Sequence, residues 1–225
     1  MKLCPRLIDV HVPREPEGAV LLLHGGASRR RSMRVSPAQL SVLRMIPIAR
    51  RVARAGRGRL AVFRLLNSRR GWDTNHTPVD DARWALAGVA KRFGDALPAC
   101  LIGHSLGGRA ALLAAGHPAV RSVAALAPWV YPTDVASALR GRRILIVHGT
   151  QDRIASQSRS LALARALSRH AEVGYVSVED GKHAMLRHHG VFDRLATEFA
   201  VTTLLGAPPA GALARIASGE RLITV

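Results

Sequence analysis

The sequence predicts an α/β protein built on a doubly wound, mostly parallel sheet. Short apolar runs at 19–23, 60–66, 99–102, 123–126, 144–147 and 173–178 alternate with longer segments of helical pattern. Most of these runs carry no charge, as strands covered on both faces require, and regular β-α alternation is the connectivity of right-handed crossovers in a parallel sheet. The third observation is Cys100-Leu-Ile-Gly-His-Ser-Leu-Gly-Gly-Arg109, where an apolar run enters a tight turn and an Ala/Leu-rich run leaves it. With 225 residues the chain suffices for one such domain and is short for two. The domain is expected over 1–205, with 206–225 a Gly/Pro-jointed C-terminal tail of undetermined order.

Residues 7–12 alternate, with Ile8, Val10 and Val12 on one face and Asp9 and His11 on the other, as a half-exposed edge strand does. The run 19–23 ends in His24-Gly25-Gly26-Ala27. Ser36-Pro37 supplies a capping oxygen and a proline at the first helical position. One helix is predicted from there to Gly56, with Leu40, Leu43 and Ile46 inward and a kink at Pro47. Strand 60–66 follows, with a long loop over 67–76. Thr77-Pro78 repeats the cap and proline, and Asp80 and Asp81 suit the positive end of the helix dipole. That helix ends near Gly94.

Strand 99–102 leads into the turn at Ser105, and the helix after it stops at Gly116 and Pro118. Strand 123–126 ends in Ala127-Pro128-Trp129, and strand 144–147 in His148-Gly149-Thr150-Gln151-Asp152. A helix over 157–167, a strand over 173–178, Glu179-Asp180-Gly181-Lys182-His183 and a helix over 191–204 complete the pattern.

In such a sheet the polar groups able to meet stand at the carboxyl ends of the strands, whose loops share one rim. This sequence puts Gly26, Ser105, Trp129, Asp152 and His183 there. A serine on a strand-to-helix turn needs small neighbours two positions to either side, and Gly103 and Gly107 supply them. The set contains a nucleophile, an acid and a base in the order Ser, Asp, His. A serine hydroxyl attacks only when a neutral imidazole takes its proton, and the imidazolium then needs a fixed counter-charge. Ser105 competes with a plain helix N-cap role, His183 with His188 and His189, and Asp152 with Asp134 and Asp180.

Together, Gly103-His-Ser-Leu-Gly107, His24-Gly-Gly-Ala27, His148-Gly-Thr-Gln-Asp152 and His183 resemble the matched turns of the α/β-hydrolase family over roughly 19–205. The resemblance implies Ser105 as nucleophile, His183 as base and then acid, and Asp152 as its orienter. It implies an oxyanion hole from the Leu106 amide and that of Gly26, or of Ala27 if the register differs by one. Only about fifteen residues separate Pro128 from the strand near Ile144, too few for an inserted helical lid. A shallow, open site is therefore expected, like those of small, lidless, dienelactone-hydrolase-like members, with serine in place of their cysteine. The implied activity is esterase- or thioesterase-like hydrolysis through an acyl-enzyme.

All but three of the 33 basic residues are arginine, against 15 acidic ones, giving a net charge of +18. Arg29, Arg30, Arg31 and Arg34 follow the first rim loop, and Arg69 and Arg70 the neighbouring strand. Two readings of these cations stand side by side: a solvated basic rim that follows from an arginine-rich composition, and attraction of an anionic ester or thioester, with peripheral contact with an anionic membrane left open. Aromatic residues are only 4% of the chain, too few to serve as base-stacking platforms, which disfavours nucleic acid. No metal-ligand spacing or phosphate-binding glycine loop is present, so neither metal nor cofactor is expected. The two cysteines suggest no disulfide framework, and the first residues lack a secretory pattern, so a cytoplasmic protein is expected. The competing function is a catalytically silent module of the same fold whose basic rim holds an anionic partner. Nothing in the sequence signals an oligomeric state.

Overall fold

In a computed structural model describing residues 3–26, 34–136 and 138–225, the apolar runs become neighbouring strands of one sheet. In chain order these are β1 (Arg6–His11), β2 (Gly18–Leu23), β3 (Leu60–Leu66), β4 (Ala99–His104), β5 (Val120–Leu126), β6 (Arg143–Gly149), β7 (Glu172–Val178) and β8 (Leu222–Thr224). Their spatial order is β1-β3-β2-β4-β5-β6-β7-β8. Only β1 runs antiparallel to its neighbour. The winding reverses between β2 and β4, so the loops leaving their carboxyl ends diverge and open a crevice.

The helices are α1 (Leu40–Leu43), α2 (Met45–Ala55), α3 (Thr77–Phe93), α4 (Leu106–Leu113), α5 (Gln157–Leu167), α6 (His189–Leu205) and α7 (Gly211–Ala217). Because strand side chains alternate, Leu21 and Leu23 pack with α3, α4 and α5, while Val20 and Leu22 pack with α2, α6 and α7. All six residues of β2 are buried, which is why its sequence is unbroken GAVLLL. Cys100 lies in the second layer, and burial pushes its thiol up to about 12.

Three features differ from the sequence pattern. The helix predicted over 36–56 is two helices broken at Arg44, and Ser36 does not cap either. Pro47 falls in the first turn of α2, where its missing N–H has no intrahelical acceptor to lose. The residues that bury are Val42, Met45, Ile48, Ala49 and Val52; Leu40 is 83% exposed. At α3 the residue before the helix is His76, and Thr77 opens the helix itself, its N–H donated to the Asp73 carboxylate at 2.8 Å. Asp81 turns inward and accepts the Ser68 amide and hydroxyl, which ties the loop after β3 to α3.

Residues 206–225, expected as a tail beyond the domain, carry α7 and β8. Ile223 opposite Val176 is 1% exposed, and Ile216 lies against Gly174. A three-residue strand after a proline pair has no periodicity to read, which hid it. Among the described residues no helix stands between β5 and β6, and no helix is long and apolar enough to cross a membrane.

Truncating a fully buried aliphatic side chain costs about 2–4 kcal/mol. Ile223→Ala is therefore expected to lower the urea midpoint clearly; an unchanged midpoint would mean that β8 does not pair in solution.

Candidate active site

β4 ends at His104, and Ser105 turns the chain into α4 with φ +56° and ψ −120°, a conformation L side chains rarely adopt. The turn is held by the Ser105 amide donating to the Leu126 carbonyl and the Trp129 amide donating to the Ser105 carbonyl. It closes only without side chains at its flanks. A Cβ on Gly103 would lie 2.2 Å from the Gly107 carbonyl oxygen, and one on Gly107 2.3 Å from that of Leu23. Ser105 thus stands at the crevice between β2 and β4, with its hydroxyl off the strand end.

The loops after β6 and β7 converge on it. A Cβ on Gly149 would meet the Gly181 carbonyl at 2.2 Å, so the two backbones pack as only glycine allows. The Gln151 amide donates to that carbonyl, and the Asp180 amide to the Thr150 hydroxyl. In consequence His183 Nδ1 lies 2.8 Å from Asp152 Oδ2, and His183 Nε2 lies 3.0 Å from Ser105 Oγ. Asp152 Oδ1 accepts the Ile154 and Ala155 amides. Its side chain has no solvent exposure. Burial works against its charge, yet the hydrogen bonds from His148, His183 and Ala155 outweigh it and hold the carboxyl well below the usual carboxylate range.

Two further histidines support this relay. His148 is fully buried; its Nε2 lies 3.1 Å from Asp152 Oδ2 and 3.2 Å from the Ala155 carbonyl, while its Nδ1 bonds Ser160 Oγ. His104 Nε2 bonds the His183 carbonyl at 2.9 Å, its ring 5.1 Å from the His183 ring. Burial, with His183 as the next cause, pushes His104 down to about 3, so it is neutral and donates from Nε2.

The loop after β2 reaches the serine from the other side. His24 Nδ1 bonds the Gly25 carbonyl, and His24 Nε2 accepts the Asn67 amide. Gly26 is pressed on the Arg70 carbonyl, 1.9 Å from where a Cβ would stand. The Gly26 and Leu106 amides have no hydrogen-bond partner among the described residues, and both residues line the same cavity as Ser105. Ala27, the alternative donor, lies outside the described residues.

That cavity measures about 690 Å³ and is walled by Leu40, Leu43, Pro47, Leu106, Trp129 and Leu186, with His104, Ser105 and His183 at its base. Arg44, at the α1–α2 break, also borders it and pairs with buried Asp193 of α6 at 2.6 Å. The two leucines expected in the core instead form a cavity wall. Leu40, Ile154 at 68% exposure and Leu186 at 69% give the mouth an apolar lip.

No protein-family model and no curated protein sequence matches the chain, whereas solved structures match it over most of its length. It is similar to Est1E from Butyrivibrio proteoclasticus with ferulic acid bound, at a TM-score of 0.64 and 13% identity over 89% of this chain and 96% of that one. It is also similar to an α/β serine hydrolase without lid from Xanthomonas campestris, at 0.63 and 20% over 91% and 89%. The same holds for an α/β serine hydrolase homologue from Coxiella burnetii, at 0.62 and 20% over 89% and 90%. The chain has the α/β-hydrolase fold. Within that fold the stretch from β5 to β6 is short, and the cavity is bordered instead by α1 and by the loops bearing Ile154 and Leu186.

The other rim residues fall as follows. Trp129 lines the cavity, edge-on to Tyr131. Arg69 and Arg70 do not line it; Arg69 faces Asp73 at 3.8 Å, and Arg70 acts through its backbone on Gly26. Arg34 is exposed, while Arg29, Arg30 and Arg31 lie outside the described residues. Asp134 pairs with Arg109 in a two-bonded bridge that holds the loop after β5 to α4. His188 precedes α6 and His189 opens it, and neither lines the cavity. Arg44, Ile154 and Leu186 carried no motif signal; His148 opens the matched turn at 148–152 but was not weighed as a partner of Asp152, four residues on.

Free in solution, histidine titrates near 6.5, whereas buried His104 takes its proton only near 3. Below about pH 6.5 the unfolded chain binds a proton that the folded one refuses, so stability falls with pH, by at most about 1.4 kcal/mol per unit for this group. In His104→Gln that contribution is gone. The drop in Tm between pH 7 and 4.5 is expected to be smaller than in the parent; equal drops would contradict a buried neutral His104.

Proposed function

We propose that the protein is a serine hydrolase that cleaves a carboxylic ester or thioester through an acyl-enzyme. One observation carries this function: Ser105 Oγ, His183 and Asp152 form an unbroken hydrogen-bonded series, at 3.0 and 2.8 Å, at the base of an apolar cavity. Asp152 is a charged acceptor for Nδ1–H, so the neutral imidazole presents a bare Nε2 to the serine. As Ser105 Oγ attacks the carbonyl carbon, its proton passes to His183 Nε2, and Asp152 stabilises the imidazolium.

The carbonyl oxygen becomes negative in the tetrahedral intermediate. Two uncommitted amides, Gly26 and Leu106, are suited to receive it, the second strengthened by the N-terminus of α4. Each such donor is worth about 3 kcal/mol of barrier. When the carbonyl re-forms, His183 gives its proton to the leaving oxygen or sulfur, and water repeats the sequence on the acyl-enzyme. The acyl group would lie against Leu40, Leu43, Pro47 and Trp129, so apolar acyl groups are the expected substrates.

The test is a panel of 4-nitrophenyl esters of graded chain length. Ser105→Ala and His183→Ala are each expected to lower kcat by about 10⁴-fold or more, and the double variant by little further, because the pair acts as a unit. Ester cleavage that survives Ser105→Ala would overturn this function.

A further inference from the structure

A second cleft, of about 560 Å³, abuts the catalytic cavity and shares Ile154, His183 and Ala184 with it as a common wall. Its other described walls are Gln151, Arg153, Asp180, Lys182 and Arg187. Asp180 is the one carboxylate among them, so the cleft holds an excess of two positive charges. None of Arg153, Lys182 and Arg187 is in an ion pair among the described residues. Exposed cations on a concave wall focus their field into the space between them.

The position of this cleft gives it a role. In the acyl transfer proposed above, one substituent of the tetrahedral carbon points to the Gly26 and Leu106 amides, one into the apolar cavity, and one must face His183 to receive its proton. The third is the leaving group, and His183 separates the two clefts. We infer that the cationic cleft is the leaving-group subsite, and that the substrate joins an apolar acyl group to an alcohol or thiol bearing phosphate. This inference rests on the hydrolase function and names its substrate class. The Ser105 Oγ–carbonyl bond forms, the bond from carbonyl carbon to the leaving oxygen or sulfur breaks, and that atom takes the proton from His183 Nε2. The phosphate leaves intact, still bound to its alcohol or thiol, and water then releases the carboxylic acid.

The residues involved differ from the arginines that draw the eye in the sequence. Arg69 and Arg70 line neither cleft, whereas Arg153 and Lys182 each adjoin a member of the relay in sequence. An anion seated here would lie on the side of His183 away from the acyl cavity.

The probes are 1-butyrylglycerol and 1-butyrylglycerol 3-phosphate, identical except for the phosphate. The cluster variant is Arg153→Gln/Lys182→Gln/Arg187→Gln. Its control is Arg121→Gln/Arg165→Gln/Arg169→Gln, which removes the same charge near the opposite end of the sheet. An exposed ion pair contributes about two- to five-fold to an equilibrium. The preference for the phosphorylated ester, as a ratio of kcat/KM values, is therefore expected to fall roughly ten-fold in the cluster variant and to hold in the control. Calorimetric binding of glycerol 3-phosphate should weaken in the same variant.

A ratio unchanged in the cluster variant, or falling equally in both, overturns the inference. If the parent cleaves neither probe nor any 4-nitrophenyl ester, yet its glycerol 3-phosphate binding is lost in the cluster variant, the hydrolase function fails and the leaving-group assignment with it, while the anion cleft stands. If it cleaves 4-nitrophenyl esters but neither probe, the leaving-group assignment alone is overturned. Co-sedimentation with phosphatidate vesicles over phosphatidylcholine vesicles would assign the phosphate to a lipid headgroup. Glycerol 3-phosphate binding without vesicle binding would assign it to a soluble ester.

Discussion

A carboxylate with no solvent contact is stable only if protein donors replace its water, and Asp152 has four: the Ile154 and Ala155 amides and two imidazoles. The rest of the site depends on this charge. It keeps the proton of His183 on Nδ1 and frees Nε2 to face Ser105. It also fixes the imidazole ring, because Oδ2 is held from the other side by His148. In the proposed hydrolase, an imidazole without that counter-charge would leave Ser105 an ordinary alcohol.

Backbone contact makes the arrangement possible. Gly149 against Gly181 lets the turn after β6 touch the loop after β7, and Gly103 against Gly107 lets the elbow close. Each pair of glycines removes two side chains where main chains must meet, so these are requirements on backbone separation. The crevice between β2 and β4 supplies the remaining wall. The break at Arg44 adds the cavity's apolar side, turning Leu40 and Leu43 outward over Ser105 while Val42 and Met45 pack inward. An ion pair between Arg44 and Asp193 ties this break to α6, and removing either partner would strand a buried charge.

The central strands were legible because each is apolar on both faces. Ser105, Asp152 and His183 could be set on one rim because each follows a strand end, but their choice over His188, His189, Asp134 and Asp180 rested on the resemblance of their turns to the α/β-hydrolase pattern. The structure brings the three within hydrogen-bonding distance. The α1–α2 segment was misjudged since Leu40 and Leu43 are as apolar as core residues; hydrophobicity does not tell a core face from a cavity wall. β8 was missed since three residues carry no period. Arg153, Lys182 and Arg187 lie in a background of thirty-three basic residues, where only coordinates distinguish the cations that share a concave wall.

The central claim is that the buried charge of Asp152, acting through His183, makes one serine nucleophilic. Labelling with a fluorophosphonate, followed by peptide mapping, tests it most directly. The account predicts a single adduct on the tryptic peptide 93–109 at Ser105, formed far more slowly in Asp152→Asn and His183→Ala. An adduct at another residue, or labelling at an undiminished rate in those variants, would contradict it.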